Sequence, residues 1–140
     1  MLKLNLGSGL RKLEGYVNID KSLNASPDDV INLEEGFIPY GGVDEILATH
    51  ILEHIQNIIP LMNECFRVLK EGGRMIIEVP QNEGTWADPT HVRAFSKLSF
   101  RYYCGYPFSE IYGITAKFKL ISQDFIDNPD GGVLRVILEK

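Results

Sequence analysis

The segment 4–10, LNLGSGL, most constrains the fold, because it runs a short apolar strand directly into a glycine-rich turn. A second apolar run follows and ends at Asp20. In an open α/β sheet, glycines just past the first strand let backbone N–H groups approach a ligand, and a carboxylate ending the second strand accepts hydrogen bonds from ribose hydroxyls. The pattern is therefore typical of a site for a nucleotide-like cofactor. In the alternative interpretation, Gly7 and Gly9 only shape a tight turn, and Asp20 is a solvated strand end.

The spacing of the two features narrows the kind of cofactor. Gly7 and Gly9 supply the first two glycines of the dinucleotide fingerprint, and Lys12 occupies the place of the third. Asp20 follows Gly7 by 13 positions, whereas roughly 20 are expected when a full helix separates the strands. The pyrophosphate of NAD would rest on the N-terminus of that helix. The spacing thus favours a cofactor without phosphates, such as S-adenosylmethionine.

Size and charge restrict the class of protein. A chain of 140 residues suffices for a single domain, residues 1–140, without a separate substrate domain. The net charge is −5 and no basic run occurs, which argues against nucleic acid as a partner. No apolar run approaches the roughly 20 residues of a membrane span, and no signal peptide is recognised. We expect a cytoplasmic protein with no membrane partner.

Metal-ligating residue types occur, but their spacing is incomplete. Cys65 and Cys104 lack the paired spacing of a zinc or redox site. The segment 50–54, HILEH, is similar to a zinc-peptidase helix, yet the expected carboxylate ligand further along the chain is not identifiable. We therefore predict no metal site, and we expect Glu53 and His54 to cap and pack the start of a helix.

Hydrophobic periodicity predicts an α/β fold with a mostly parallel sheet and a closing antiparallel hairpin. One amphipathic helix is predicted over residues 52–70, interrupted or kinked by Pro60 and ended by the glycines at 72 and 73. A long loop, 80–95, follows the fifth strand and precedes a short helix at 97–103. The predicted strands are 3–6, 16–20, 30–33, 43–49 and 74–79, with a hairpin of 115–125 and 133–139.

Several separated segments resemble the class I S-adenosylmethionine-dependent methyltransferases, especially the small group called methyltransferase type 11. The matching segments are LNLGSGL, GYVNID, VINLEEG, VDEILATHILEHI, RVLKEGGRMIIEVP and ADPTHVRAFS, which together span nearly the whole chain. The resemblance implies a Rossmann-like sheet, here with minimal helices, and S-adenosylmethionine as the cofactor. It also implies in-line methyl transfer to an acceptor, for which the small size and acidic charge favour a small molecule or a glycan.

The resemblance also implies roles for the residues at matching positions. The glycine turn would face the methionine part of the cofactor, the end of the second strand its ribose, and the turn after the third strand its adenine. In two places an asparagine stands where the family often has an acidic residue, which removes negative charge near a cationic ligand. The implied cofactor-binding residues are Asn5, Gly7, Ser8, Gly9, Asp20, Asn32, Leu33 and His50.

The loop after the fifth strand carries the candidates for chemistry. His91 is the candidate general base, since imidazole titrates near neutral pH, and Asp88 would orient its ring. Arg93 would bind an acidic group of the substrate, and Trp86 would form a wall of the acceptor pocket. In the alternative interpretation, His91 and Asp88 only stabilise the loop.

Two other functions remain open at the level of sequence. The first is a noncatalytic module that binds S-adenosylmethionine or S-adenosylhomocysteine, because the usual first helix is nearly deleted. The second is an NAD-dependent oxidoreductase, which the short glycine-to-aspartate spacing disfavours. The missing helices would also leave one face of the sheet uncovered, and a homodimer or the carboxy-terminal segment would cover it.

Overall fold

The computed structural model describes residues 1–140, which form one seven-stranded sheet. The strand order is β3-β2-β1-β4-β5-β7-β6. The first five strands are parallel, and β7 is antiparallel to both of its neighbours. This confirms the Rossmann-like, mostly parallel sheet with a C-terminal antiparallel hairpin. The strands are β1 Lys3–Leu6, β2 Val17–Asp20, β3 Asp29–Val30, β4 Val43–Thr49, β5 Leu69–Pro80, β6 Lys119–Ile126 and β7 Val133–Glu139.

Only one helix of any length supports this sheet, α1 at Ile58–Val68. Its residues Leu61, Met62 and Cys65 are fully buried in the same core as the central strands. Pro60 is the third residue of α1, where the backbone N–H of any residue would lack a partner within the helix, so it causes no break. The second helix, α2 at Gly84–Ala87, has four residues.

The predicted helix 52–70 is wrong at both ends. Its start is a separate 3-10 turn, Leu52–His54, and its end passes directly into β5, because Leu69 is already extended. The glycines expected to cap the helix belong to the strand instead. A Cβ on Gly73 would lie 2.9 Å from the carbonyl oxygen of Val43, so the close approach of β4 and β5 requires glycine at this position.

Other predicted elements also differ from the structure. The hairpin strand predicted to begin at 115 begins at Lys119, and the fifth strand begins at Leu69 instead of 74. The third strand ends at Val30, because the Asn32 side chain accepts a hydrogen bond from the backbone N–H of Glu34 and starts the 3-10 turn Leu33–Glu35. The predicted helix 97–103 is only a 3-10 turn, Phe100–Tyr103. The chain between β1 and β4 contains no α-helix. This agrees with the prediction from the short connections there. No helix in the structure combines the length and apolar character needed to cross a bilayer.

The sheet face opposite α1 carries charged rows instead of helices. Successive residues along a strand point to opposite faces, and the residues that alternate with the buried core positions are in register across β1, β4, β5 and β7. Oppositely charged side chains pair across this face, and an apolar row lies between them. The pairs are Lys3–Glu45 at 3.5 Å, Arg74–Glu139 at 2.9 Å and Arg135–Glu78 at 3.7 Å, and the row is Leu47, Ile76 and Ile137.

Candidate active site

The turn after β1 is held against the end of β2. The backbone N–H of Gly9 donates to Asp20 Oδ2 at 2.9 Å, and that of Ser22 donates to Asp20 Oδ1 at 2.9 Å. Gly7 has a φ of +63°, and a Cβ at this position would lie 2.5 Å from Ile51 Cδ1. The chain therefore needs glycine at position 7 both for its backbone conformation and for the close approach of Ile51.

A narrow slot opens between this turn and the segment after β3. Its lining includes Ile31, Leu33, Ile51 and Asp20. The Glu34 carboxylate fixes the far wall, because it accepts hydrogen bonds from the backbone N–H groups of residues 56 and 57 at the start of α1. The slot has a volume of about 100 Å³ and brings Gly7, Asp20, Asn32 and Leu33 together, as predicted.

A wider groove continues from the slot across Gly7. It has a volume of about 640 Å³, within the 300–1,000 Å³ of typical ligand sites. The predicted residues Asn5, Ser8, Gly9 and His50 line it. Of the eight predicted cofactor-binding residues, four line the slot and five line the groove, because Gly7 belongs to both.

Asn5 has a structural role within this groove. Its Nδ2 group donates to Asn18 Oδ1 at 2.9 Å and to the carbonyl of Arg11 at 3.1 Å, so both of its N–H donors are used within the protein. Asn18 also accepts a hydrogen bond from the backbone N–H of Leu13. This buried asparagine pair ties the connection 10–16 to the sheet, where a helix would otherwise pack.

Two groove residues have unusual environments. The Ser8 side chain is buried, and its hydroxyl oxygen has no hydrogen-bond partner. His50 has a φ of +53°, a strained conformation of the kind that concentrates at functional sites. Its Nδ1 lies 3.4 Å from Glu53 Oε1, and that carboxylate raises the pKa of His50 above its ordinary value.

His91 lies next to this groove because the loop after β5 folds back over the turn after β4. The backbone N–H of Val92 donates to the carbonyl of Glu53 at 2.8 Å. His91 Nδ1 lies 2.6 Å from the carbonyl oxygen of Thr85. A carbonyl can only accept, so Nδ1 carries the proton and Nε2 keeps its lone pair.

The Thr85 contact changes the role predicted for Asp88. The ring of His91 is oriented by the Thr85 carbonyl, and Asp88 Oδ2 lies instead beside the free Nε2, at 3.8 Å. Asp88 accepts hydrogen bonds from the hydroxyl and the backbone N–H of Thr90, which hold the pKa of its carboxyl below the ordinary value.

Glu53 is the residue that sequence reasoning placed in the wrong role. It does not cap a helix: its side chain is 1% exposed, and neither carboxylate oxygen has a hydrogen-bond partner. His91 Nε2 lies 3.9 Å from Glu53 Oε1, and the rings of His54 and His91 meet edge to face with centroids 4.7 Å apart. The HILEH segment supplied two residues of this cluster, Glu53 and His54, but the third, His91, comes from a distant loop.

A third cavity, here called the acidic cavity, adjoins the groove and the slot. It has a volume of about 380 Å³, and none of its lining residues is a lysine or an arginine. It shares His50 with the groove and His54 with the slot. Its polar lining consists of His50, Glu53, His54, Asp88, His91, Asn128 and Asp130.

The two residues predicted to bind substrate lie elsewhere. Arg93 donates through Nε to the carbonyl of Ile55 at 3.0 Å and through Nη2 to that of Gln56 at 2.8 Å, so its guanidinium braces the turn before α1. Trp86 is 65% exposed and does not line the slot, the groove or the acidic cavity.

The comparisons with known proteins agree with this architecture. A family model described as a methyltransferase domain matches residues 20–77. A methyltransferase of Archaeoglobus fulgidus described as S-adenosylmethionine-dependent has a TM-score of 0.67 at 16% identity, with 99% of this chain and 85% of that chain covered. The 1,6-didemethyltoxoflavin-N1-methyltransferase of Burkholderia thailandensis, solved with S-adenosylhomocysteine, has a TM-score of 0.67 at 15% identity, covering 99% and 70%.

A further similar structure acts on a different kind of acceptor. It is the 16S rRNA (adenine(1408)-N(1))-methyltransferase of Catenulisporales acidiphilia, with a TM-score of 0.64 at 9% identity, covering 99% of this chain and 83% of that chain. No curated protein sequence matches the chain. The family match and the shared fold together confirm the resemblance to the class I S-adenosylmethionine-dependent methyltransferases.

Proposed function

We propose that the chain binds S-adenosylmethionine in the slot and groove and methylates an acceptor held in the acidic cavity. The observation that carries this proposal is the continuity of the three spaces. The slot, which Asp20 lines, shares Gly7 with the groove, and the groove shares His50 with the acidic cavity.

The residues of the slot and groove fit this cofactor chemically. Asp20 uses one lone pair of each oxygen for the turn, so each oxygen can still accept a ribose hydroxyl. Leu33 and Ile51 offer apolar walls for a purine, and Asn32 a polar edge. Bound S-adenosylmethionine supplies a methyl group already activated on a sulfonium. A dinucleotide fits less well, because no helix N-terminus follows β1 to receive a pyrophosphate.

Within the acidic cavity, His91 is the group proposed to assist loss of the acceptor's proton. Its Nε2 keeps a lone pair, and the ring is held in place by Thr85. Methylation of an X–H group would form the X–CH₃ bond as the sulfur–methyl bond breaks and S-adenosylhomocysteine leaves, and it would release one proton, which Nε2 can accept. The neighbouring carboxylates of Glu53 and Asp88 would stabilise the imidazolium that results.

The proposed acceptor is a small molecule or the end of a glycan. The cavity volume of about 380 Å³ suits a molecule of that size, and its acidic lining repels phosphates. The rRNA methyltransferase among the similar structures indicates that this fold also serves nucleic-acid acceptors. A turnover assay should therefore use a panel of acceptors that includes small molecules, glycans and RNA oligonucleotides. A neutral or cationic acceptor is favoured by the absence of lysine and arginine from the lining.

A noncatalytic binding module is the second candidate. It is favoured by Asn5, which uses both N–H donors within the protein and carries no charge toward a sulfonium. This alternative shares cofactor binding with the first and differs only in turnover. Release of S-adenosylhomocysteine with any acceptor of the panel would exclude it.

Calorimetry with S-adenosylhomocysteine, S-adenosylmethionine and NAD tests the binding step. We expect the first two to bind and NAD not to bind. Asp20→Asn should weaken S-adenosylhomocysteine by about 10-fold to 100-fold, since hydrogen bonds to a charged group contribute about 1.5–3 kcal/mol. Asp124→Asn, at an exposed carboxylate on β6, is the matched control and should leave affinity unchanged. Failure of both sulfur ligands to bind would overturn the proposal.

A further inference from the structure

We propose that Glu53, His54 and His91 form a binding site for a divalent transition-metal ion. One ligand atom from each residue lies within 4.8 Å of the corresponding atoms of the other two. Three ligands at zinc-like distances of about 2.0–2.1 Å from a tetrahedral ion lie about 3.3 Å from one another. A contraction of at most about 1.5 Å, within the range of side-chain rotations, would therefore assemble the site. The proposal is independent of cofactor binding and goes beyond methyl transfer.

The Glu53 carboxylate is the observation that points to a cation. It is 1% exposed, both of its oxygens lack hydrogen-bond partners, and no lysine or arginine lines the cavity around it. Buried carboxylates are normally paired, hydrogen-bonded or bound to a metal. His54 and His91 are the two histidines whose ring nitrogens cluster with this carboxylate, and His91 Nε2 lies 3.9 Å from Oε1. His50 Nδ1 lies 3.4 Å from the same oxygen but is not part of the cluster.

The second hydrogen bonds of the two histidines suit metal ligation. His91 donates its Nδ1–H to the Thr85 carbonyl, which leaves Nε2 free. The Thr90 hydroxyl donates to Asp88 Oδ1 at 2.6 Å, so it can accept from His54 Nδ1–H at 3.0 Å, and this leaves the Nε2 of His54 free as well. Metal-bound histidines usually donate their other N–H to a carbonyl or a carboxylate in this way, which fixes the tautomer and the ring.

The ligand types select the metal. Two imidazoles and one carboxylate favour zinc and neighbouring transition ions, whereas magnesium and calcium prefer sites made of oxygen atoms alone. Three protein ligands leave at least one coordination position open, and the acidic cavity lies beside it. An acceptor hydroxyl bound there would lose its proton more readily. When His91 binds the ion, its one free lone pair is used as a ligand and cannot also accept a proton. His91 would then promote loss of the acceptor's proton only by holding the ion.

Metal titration of the chelator-treated chain tests the site directly. We expect Zn²⁺ to bind with 1:1 stoichiometry by calorimetry, Co²⁺ to give the visible absorption of a four- or five-coordinate ion, and Mg²⁺ not to bind. Glu53→Gln and His91→Gln should each weaken Zn²⁺ by about 100-fold or more, since even outer partners of metal ligands contribute 10-fold to 100-fold. His54→Gln, at a partly exposed position, provides a third variant whose folding is less at risk.

His50→Gln is the matched control, because His50 contacts Glu53 but lies outside the ligand set. As an outer partner of Glu53, it should weaken Zn²⁺ by no more than about 10-fold, clearly less than the loss of a ligand. Glu53→Gln should also melt no lower than the metal-free wild type while losing the rise in melting temperature that Zn²⁺ causes, a combination that a purely structural glutamate would not produce. Absence of Zn²⁺ binding, or equal losses in His50→Gln and His91→Gln, overturns the proposal. Binding of S-adenosylhomocysteine, measured on the same samples, reports separately on the proposed function.

Discussion

Replacement of Gly7 by alanine separates two reasons for the glycine turn. A residue with a Cβ at a φ of +63° costs about 1–2 kcal/mol in this left-handed conformation. The Cβ would also lie 2.5 Å from both Cδ1 and Cγ1 of Ile51, and forcing an extra carbon into a packed contact costs about 1–3 kcal/mol more. We therefore expect Gly7→Ala to lower the free energy of unfolding by about 2–5 kcal/mol.

Gly9 provides an internal control for the backbone cost. Its φ is +49°, yet a Cβ there would meet no atom within 4 Å, so Gly9→Ala should lose only the first contribution. Urea unfolding of both variants measures the difference, which we expect to be about 1–3 kcal/mol. When Ile51 is also replaced by alanine, Gly7→Ala should lower the free energy of unfolding by less, because the two substitutions affect the same contact.

Two results would refute this reasoning. Equal destabilisation by Gly7→Ala and Gly9→Ala would mean that the Ile51 contact yields without cost. An unchanged cost of Gly7→Ala in the Ile51→Ala background would mean the same. Because Ile51 also forms a wall of the slot, Gly7→Ala should in addition weaken S-adenosylhomocysteine more than Gly9→Ala does, and calorimetry measures this.

Three further predictions test the supports of the site. Hydrogen bonds from Lys12 and Asn18 lower the pKa of Asp28 to about 2, so its contribution to stability is complete above about pH 4 and disappears as the pH falls toward 2; the difference in unfolding free energy between wild type and Asp28→Asn should close over that range. Arg93→Gln should lower the free energy of unfolding by about 1–3 kcal/mol without changing ligand affinity, whereas a substrate-binding arginine would show the reverse. Glu139→Lys places like charges opposite each other across β5 and β7 and should lower the melting temperature at low salt but much less at about 1 M salt.

The open face of the sheet explains how so few helices suffice. Cross-strand ion pairs such as Lys3–Glu45 and Arg74–Glu139 let this face contact water, and only the row containing Ile76 between them is apolar. Surface ion pairs contribute little to stability individually, so their main effect here is to avoid an exposed apolar sheet. A homodimer over this face stays a prediction, and light scattering that shows a monomer at micromolar concentration would remove it.

The sequence alone determined the elements whose signals are local. Residues 3–6 and 43–49 were predicted with the bounds that the structure has, because short segments rich in apolar residues and adjoining a glycine turn leave little choice but a strand. The meeting of the glycine turn, Asp20 and the segment after β3 was also predictable, since the carboxyl ends of neighbouring parallel strands lie at one edge of a sheet.

Only the tertiary structure decided the identity of the chemical cluster. The segment HILEH suggested a helix with its own ligands, but Glu53 is in a 3-10 turn, and its partner His91 comes from a loop 38 residues further along the chain. The Val92–Glu53 backbone hydrogen bond brings these segments together. Periodicity reports which face of an element is buried, but it carries no information about which distant loop folds over that element. The burial of the Glu53 carboxylate beside His91 therefore had no signal in the sequence.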